Sequence, residues 1–327
     1  MKKVLTSLIA VGALLFGAIF PATAAAKPIT IKVAYENNPG EPLDQVMHYW
    51  ADLLKERSKG DILLELYPSS QLGSKHDVTE QAMMGMNVIT LTDVAFLADY
   101  DPDLGILFGP YLTDDPQKLF AIYESDWFKQ KDAELRKKGI HIVMKNYLYG
   151  TRQIISKKPI RTPADMEGMK IRVPNNVMQI KAIQAMGATP TPMPLGDVYP
   201  ALTQGMIDGV ENPVSVLYGQ KLYEQAKYLS MVNYLTNTSL WVGGEAFFKR
   251  LPKDKLAMIH ETAHEAGLYS QKLTLERDAE MLKAMEAAGV EVIYPDVAPF
   301  REKALQVYTQ FPEWSPNLYQ TIQEQVK

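Results

Sequence analysis

Ile29-Thr30-Ile31-Lys32-Val33-Ala34 alternates apolar with polar side chains, the period of a strand that buries one face. The polar run Glu36-Asn37-Asn38-Pro39-Gly40 then turns the chain. From Leu43 to Ser58 the apolar residues Val46, Met47, Trp50, Leu53 and Leu54 recur at helical spacing, and Gly60 stops the helix. Ile62 to Tyr67 is again a strand. Strand, helix and strand in that order form a crossover unit, which sets the two strands parallel in one sheet.

Outward from this unit the alternation continues. Pro68-Ser69-Ser70-Gln71-Leu72-Gly73 is a turn, Asp77 to Met84 a helix closed by Gly85, and Val88 to Leu91 a strand ending at Thr92-Asp93. An irregular segment from Asp101-Pro102 through Gly109-Pro110-Tyr111 precedes a helix from Pro116 to about Lys137 and a strand at Ile140 to Met144. A second block repeats the grammar: a strand near Arg152 to Ser156, a Thr162-Pro163-Ala164-Asp165 cap, a strand carrying Arg172, and a helix from Asn176 to Met186. A proline-rich turn (Pro190, Pro192, Pro194) and a helix over Val198 to Gln204 lead to Glu211-Asn212. After Leu229 to Leu235 and a strand near Leu240 to Gly243, Asp254 to Ala288 reads as one helix. At 1.5 Å per residue it extends about 50 Å, longer than one lobe is wide. A last strand at Val290 to Ile293 and helical residues from Phe300 to Lys327, broken at Pro312 to Pro316, complete the chain. The pattern predicts an α/β protein of two lobes with open, mostly parallel sheets.

Composition narrows the function classes. Lys2-Lys3, an apolar run from Leu8 to Phe20 and Ala22-Thr23-Ala24 have the form of a secretory signal peptide over residues 1–26, cleaved near Ala24–Ala26. Export outside the cytoplasm is the expectation. Lys2 and Lys3 are the only charges in that segment, so its removal takes the net charge from −4 to −6. No long basic run invites nucleic acid or an anionic membrane surface. With no cysteine in the chain, stability has to come from core burial instead of disulfides. There is no G-x-S-x-G elbow, no phosphate-cradling glycine loop after a strand and no catalytic thiol, so no enzyme class is indicated and no cofactor is implied.

Met169-Lys170-Ile171-Arg172-Val173-Pro174-Asn175 delivers one guanidinium to a strand end, because Pro174 removes a backbone donor. Tyr149-Gly150-Thr151-Arg152 supplies another, and Val210-Glu211-Asn212-Pro213 an amide at a second strand-to-turn junction. Converging on one point, they fit a bound carboxylate: a planar guanidinium offers two parallel donors to two oxygens, where lysine offers a point charge. From spacing alone, the commoner role of such an arginine is a structural ion pair. Asparagine before proline is also a good turn former, and a carboxylate ending a strand also caps helices.

Five motifs in order then resemble one family: Tyr67-Pro68-Ser69-Ser70-Gln71-Leu72-Gly73; Gly150-Thr151-Arg152; Thr162-Pro163-Ala164-Asp165-Met166-Glu167-Gly168-Met169-Lys170-Ile171-Arg172-Val173-Pro174; Gly187-Ala188-Thr189-Pro190-Thr191-Pro192-Met193-Pro194; and Asp208-Gly209-Val210-Glu211-Asn212-Pro213. Together they are similar to the extracytoplasmic solute-binding subunits of tripartite ATP-independent periplasmic (TRAP) transporters, most of all the members that bind sialic acid and sugar acids. The resemblance implies a periplasmic binding protein fold: residues 27–149 plus about 238–277 as one lobe, residues 150–237 plus about 278–327 as the other, with crossing strands and a long helix spanning both. It implies Arg172 as bidentate anchor of a ligand carboxylate, Arg152 and Asn212 as its assistants, and Glu36 and Asp93 near the pocket from the opposite lobe. Tyr149 and Trp241 are expected as apolar walls. Where this chain has Phe96 and Leu195, the sialic-acid binders carry an arginine and an aromatic, and near Glu36 an asparagine. These departures speak against sialic acid itself. Two acidic side chains in a site with two arginines suggest a ligand with one carboxylate and several hydroxyl or amine donors, such as a uronate, aldonate or keto-acid, whereas a plain dicarboxylate would meet repulsion. The implied partners are that small molecule and the membrane permease subunits, with the protein itself a monomer. A C4-dicarboxylate or amino-acid binder of the same family, or a ligand sensor for a membrane kinase, are the alternatives.

One rival motif is His260-Glu261-Thr262-Ala263-His264, the H-E-x-x-H spacing of zinc peptidases on a predicted helix. Ser270 stands where a third histidine would be needed, and along a straight helix Glu280 lies about 24 Å beyond His264. No metal is expected there.

Overall fold

The computed structural model describes residues 27–326. The expected signal segment and its cleavage site lie outside the described residues. Nine strands form one sheet: β1 (Ile29–Ala34), β2 (Ile62–Tyr67), β3 (Val88–Thr92), β4 (Ile140–Ser156), β5 (Lys170–Val173), β6 (Thr189–Pro192), β7 (Gly209–Pro213), β8 (Tyr228–Gly244) and β9 (Glu291–Ile293). Their order is β2-β1-β3-β8-β4-β7-β5-β6, with β9 beside β8. At one end β2, β1 and β3 run parallel, and at the other β6, β5 and β7 do. Between them β4 and β8 run antiparallel through the molecule and pair antiparallel with β7 and β3.

β4 and β8, 17 residues each, correct the sequence reading, which divides each into two shorter pieces. Lys145-Asn146 and Gly150 look like turn residues but sit at slips of register, between Met144 and Tyr147 and between Leu148 and Gly150. Such bulges bend a strand without ending it. Gly150 has φ +129°, and a Cβ there would lie 2.8 Å from the Cβ of Pro213, so only glycine allows this close crossing.

Three further differences have local causes. The helix expected from Pro116 to Lys137 is two, Pro116–Glu124 and Asp126–Lys137, because extended Ser125 accepts from the Phe128 amide and starts a new helix. The irregular segment contains the 3-10 helix Pro102–Phe108. The proline-rich turn is edge strand β6, where Thr189 and Met193 donate to Met169 and Val173 at 2.8 and 3.1 Å. Pro190 and Pro192 take the alternate positions facing away from β5, where a missing N–H costs no ladder bond.

Helices cover both faces of the sheet. One face buries Phe108, Tyr123, Phe128, Ile183 and Phe300; the other buries Trp50, Leu202, Trp241, Phe248 and Ile259. Each such side chain contributes about 1.5–3 kcal/mol by leaving water. The 35-residue helix Lys253–Ala287 lies along the second face and ties both ends of the molecule to its middle. Thr262 accepts from Trp50 at 3.1 Å; Ser270 and Thr274 hold the Leu148 amide and carbonyl of β4 at 3.0 Å each; Asp278 accepts from the Ser215 amide at 3.0 Å. Among the described residues no helix is long and apolar enough to cross a membrane.

Candidate ligand-binding cleft

Arg172 is the third residue of β5, between buried Ile171 and Val173, and Pro174 ends the strand directly after it. Its side chain is 2% exposed, and its Nε and Nη2 both donate to the Met193 carbonyl, at 3.0 and 2.6 Å. No carboxylate among the described residues pairs with it. Burial pulls its guanidinium down to about 10, against the attraction of Glu211 and Glu36. A buried cation that the chain does not neutralise is a costly arrangement, relieved by an anion from outside.

Arg152, on β4, is as buried but differently placed. Its Nε and Nη2 grip both carboxylate oxygens of Glu211, Nη2 also reaches the Glu211 carbonyl at 3.1 Å, and Nη1 donates to Asn237 Oδ1 at 2.7 Å. Burial alone would lower the guanidinium, but the Glu211 charge outweighs it and holds the group above its ordinary value. Glu211 also accepts from Tyr234 Oη and from Gln179 Nε2. Asn212, next to Glu211 on β7, has a buried Oδ1 with no hydrogen-bond partner.

From the other end of the sheet come Glu36, Lys75 and Asp93. Glu36 follows β1 and accepts from the Lys75 amide at 3.4 Å. Asp93, at the end of β3, is fully buried; it accepts from Lys75 Nζ at 3.0 Å, Ser239 Oγ at 2.6 Å and Asn237 Nδ2 at 3.1 Å. Burial works to raise its carboxyl, but Lys75, Ser239, Arg152 and Asn237 together hold it below the usual carboxylate range. Asn237, on β8, thus links the Lys75–Asp93 pair to the Arg152–Glu211 pair.

These groups surround a cleft of about 290 Å³ between the two parallel ends of the sheet, lined by Arg172, Glu36, Lys75, Phe96, Asp99, Met193 and neighbours. A narrow inner extension is lined by Arg152, Arg172, Asn212, Tyr149, Leu195, Glu36 and Lys75. Six of the eight expected site residues therefore meet at one place. Asp93 stands behind Lys75 and does not line the cleft. Trp241 is corrected to a core residue, packed edge-on between Tyr35 and Tyr147 at 6.2 and 6.0 Å.

Sequence reasoning missed Lys75 and the pairing partners Glu211 and Asn237. The helix expected from Asp77 begins at Lys75, because Ser74 and Asp77 form a reciprocal capping box. That motif, present in the sequence, places Lys75 at the helix start, while its facing the cleft comes from the tertiary fold.

The H-E-x-x-H residues lie apart from all this. His260 Nε2 is 3.0 Å from His141 Nε2, and its Nδ1 donates to the Val143 carbonyl. Burial lowers both imidazoles, His141 to about 3. Thr262 is buried against Trp50, while His264 is exposed. Among the described residues, no three His, Cys, Asp or Glu side chains are grouped to hold a metal ion.

The profile of the bacterial extracellular solute-binding proteins, family 7 (DctP), matches residues 33–313. A TRAP periplasmic solute-binding protein from Ochrobacterium anthropi, solved with bound L-fuconate, is 71% identical, with a TM-score of 0.91 over 92% of this chain and 100% of its own. Another from Actinobacillus succinogenes, with bound L-galactonate, is 44% identical, with a TM-score of 0.89 over 91% of this chain and 99% of its own. The 2,3-diketo-L-gulonate-binding periplasmic protein of Escherichia coli is 31% identical over 81% of this chain and 80% of its own. By its profile, its two-ended α/β sheet and these relatives, the chain belongs to the family 7 extracellular solute-binding proteins, the periplasmic components of TRAP transporters.

Proposed function

We propose that this protein captures a monocarboxylic sugar acid of the aldonate class, in the manner of L-fuconate or L-galactonate, and releases it unchanged to a membrane permease. The observation that carries this reading is Arg172: a buried guanidinium, unpaired by any described carboxylate, at the wall of a cleft. The ligand carboxylate takes the free edge of Arg172 with the remaining Arg152 donor beside it, and the unpartnered Asn212 Oδ1 accepts from a neighbouring ligand hydroxyl. Tyr149 and Leu195 form the apolar side of this end, and Glu36 receives ligand hydroxyls.

The two ends of the sheet act as lobes, residues 27–149 with about 238–277 and residues 150–237 with about 278–327. Ligand touches both, so it binds the closed form better than the open one and shifts the population towards it. The protein works as an exported monomer, its leader removed near Ala24–Ala26. Calorimetry with L-fuconate and L-galactonate is the test. Arg172→Ala should weaken binding by about a hundredfold or more, because the buried carboxylate loses its paired charge. Unchanged affinity in Arg172→Ala removes that residue from the site, and ligand consumed on prolonged incubation, followed by NMR, refutes capture without turnover.

A further inference from the structure

Resting on the sugar-acid reading, the pairing of charges around the cleft fixes what a ligand can carry at its far end. Lys75 is neutralised by Asp93 at 3.0 Å, and Arg152 by the two oxygens of Glu211. His76, at the outer rim, faces Glu80 at 3.2 Å. Among the described residues lining the cleft, Arg172 alone is left to balance an incoming charge. At the inner extension Arg172 meets Arg152 and Asn212, which is where the proposed reading anchors the ligand carboxylate. Glu36 and Lys75 line both the inner extension and the main cleft, so they lie along the path of any ligand that extends outward from Arg172. Beyond them the lining turns to Phe96 and Asp99 on one side and Met193 on the other. That far end has two acidic side chains in reach, Glu36 and Asp99, and among the described residues no cation without a partner.

We propose that the site selects polyhydroxylated monoanions and rejects acids charged at both ends, with Glu36 the residue that turns away a second carboxylate. Lys75, beside Glu36 on the wall facing Arg172 and fixed by Asp93, reads hydroxyls: one of its three N–H groups is held by Asp93, and its ammonium lies 5.5 Å from the rings of both Phe96 and Tyr149. Because Asp93 is buried and bound by Ser239 and Asn237 as well, Lys75 cannot leave it to meet a second anion without stranding a buried charge. Glu36 has no such cation: its one bond from the protein is the Lys75 amide, which leaves carboxylate oxygens to accept from hydroxyl groups and to repel another carboxylate.

The test compares L-galactonate with galactarate, the same carbon chain carrying a carboxylate at each end, by calorimetry on the full chain and on Glu36→Gln. The unmodified protein should bind galactarate about a hundredfold more weakly than L-galactonate, as expected for like charges brought together in a desolvated site. In Glu36→Gln that ratio should shrink by about tenfold or more. Equal binding of the two acids by the unmodified protein overturns the inference while leaving the sugar-acid reading intact. An unmoved ratio in Glu36→Gln, with the thermal melt of the variant unchanged, overturns the role of Glu36. Binding of neither acid by the unmodified protein overturns the sugar-acid reading and this inference with it.

Discussion

Replacing Glu211 by glutamine should lower the melting temperature of this protein sharply, and by an amount the structure lets one work out. The carboxylate is fully buried and receives Arg152 Nε and Nη2, Gln179 Nε2 and Tyr234 Oη. A glutamine keeps one acceptor oxygen and turns an N–H₂ group towards donors. Arg152, itself 2% exposed, then retains only Asn237 and a backbone carbonyl as acceptors. Breaking one side of a buried ion pair costs about 3–5 kcal/mol. Total stability is typically about 5–15 kcal/mol, and at about 2 °C per kcal/mol for a chain of this size the melt should fall by about 6–10 °C. Arginine stays charged at every accessible pH, so the deficit should persist wherever the native carboxylate is ionised. The double variant Arg152→Met with Glu211→Leu removes both charges and should recover most of the loss, since it leaves no stranded ion. Calorimetric melts of the three proteins decide it. An unchanged melt in Glu211→Gln, or a double variant no more stable than Glu211→Gln, would show that the pair is not the buried, mutually dependent unit described.

Two further outcomes follow from other parts of the molecule. Gly150→Ala, which puts a Cβ at φ +129° and 2.8 Å from Pro213, should cost about 1–3 kcal/mol, measurable by guanidinium unfolding. Glu41 is buried and accepts from Asn37, Asn38 and Gln220; burial pushes its carboxyl from 4.5 up to about 7, against those hydrogen bonds. The fold therefore favours the protonated form, a contribution fully present below pH 4.5 and lost as pH rises through about 7. Glu41→Gln should flatten that decline, and parallel slopes of stability against pH in the two proteins would contradict it.

How much of this was legible depends on what each residue signals locally. Ile29–Ala34 announces itself by alternation and Ile62–Tyr67 as a short apolar, β-prone run between turns, and the structure has both strands at those bounds. β4 and β8 run through the middle of the sheet with nearly every side chain buried, so no alternation marks them, and the bulges at Asn146 and Gly150 imitate ends. Arg172 was legible through the motif around it, although spacing alone favoured an ordinary ion pair. Lys75 was not, since a lysine at a helix start is usually solvated; its burial comes from Asp93, Phe96 and Tyr149, which only the tertiary fold brings to it. Trp241 was misplaced for the converse reason: an aromatic on a strand near a cleft carries no mark of which face it occupies.

The proposed grip on the acid group is built from strand residues whose neighbours are locked in a central network, whereas the opposite wall comes from a helix start and a short helical turn at Ser74, Lys75, Phe96 and Asp99. Such a division of labour lets descent conserve the anchor and rewrite the reader. A handful of exchanges on that peripheral wall would retune the nutrient recognised without disturbing the machinery that secures it.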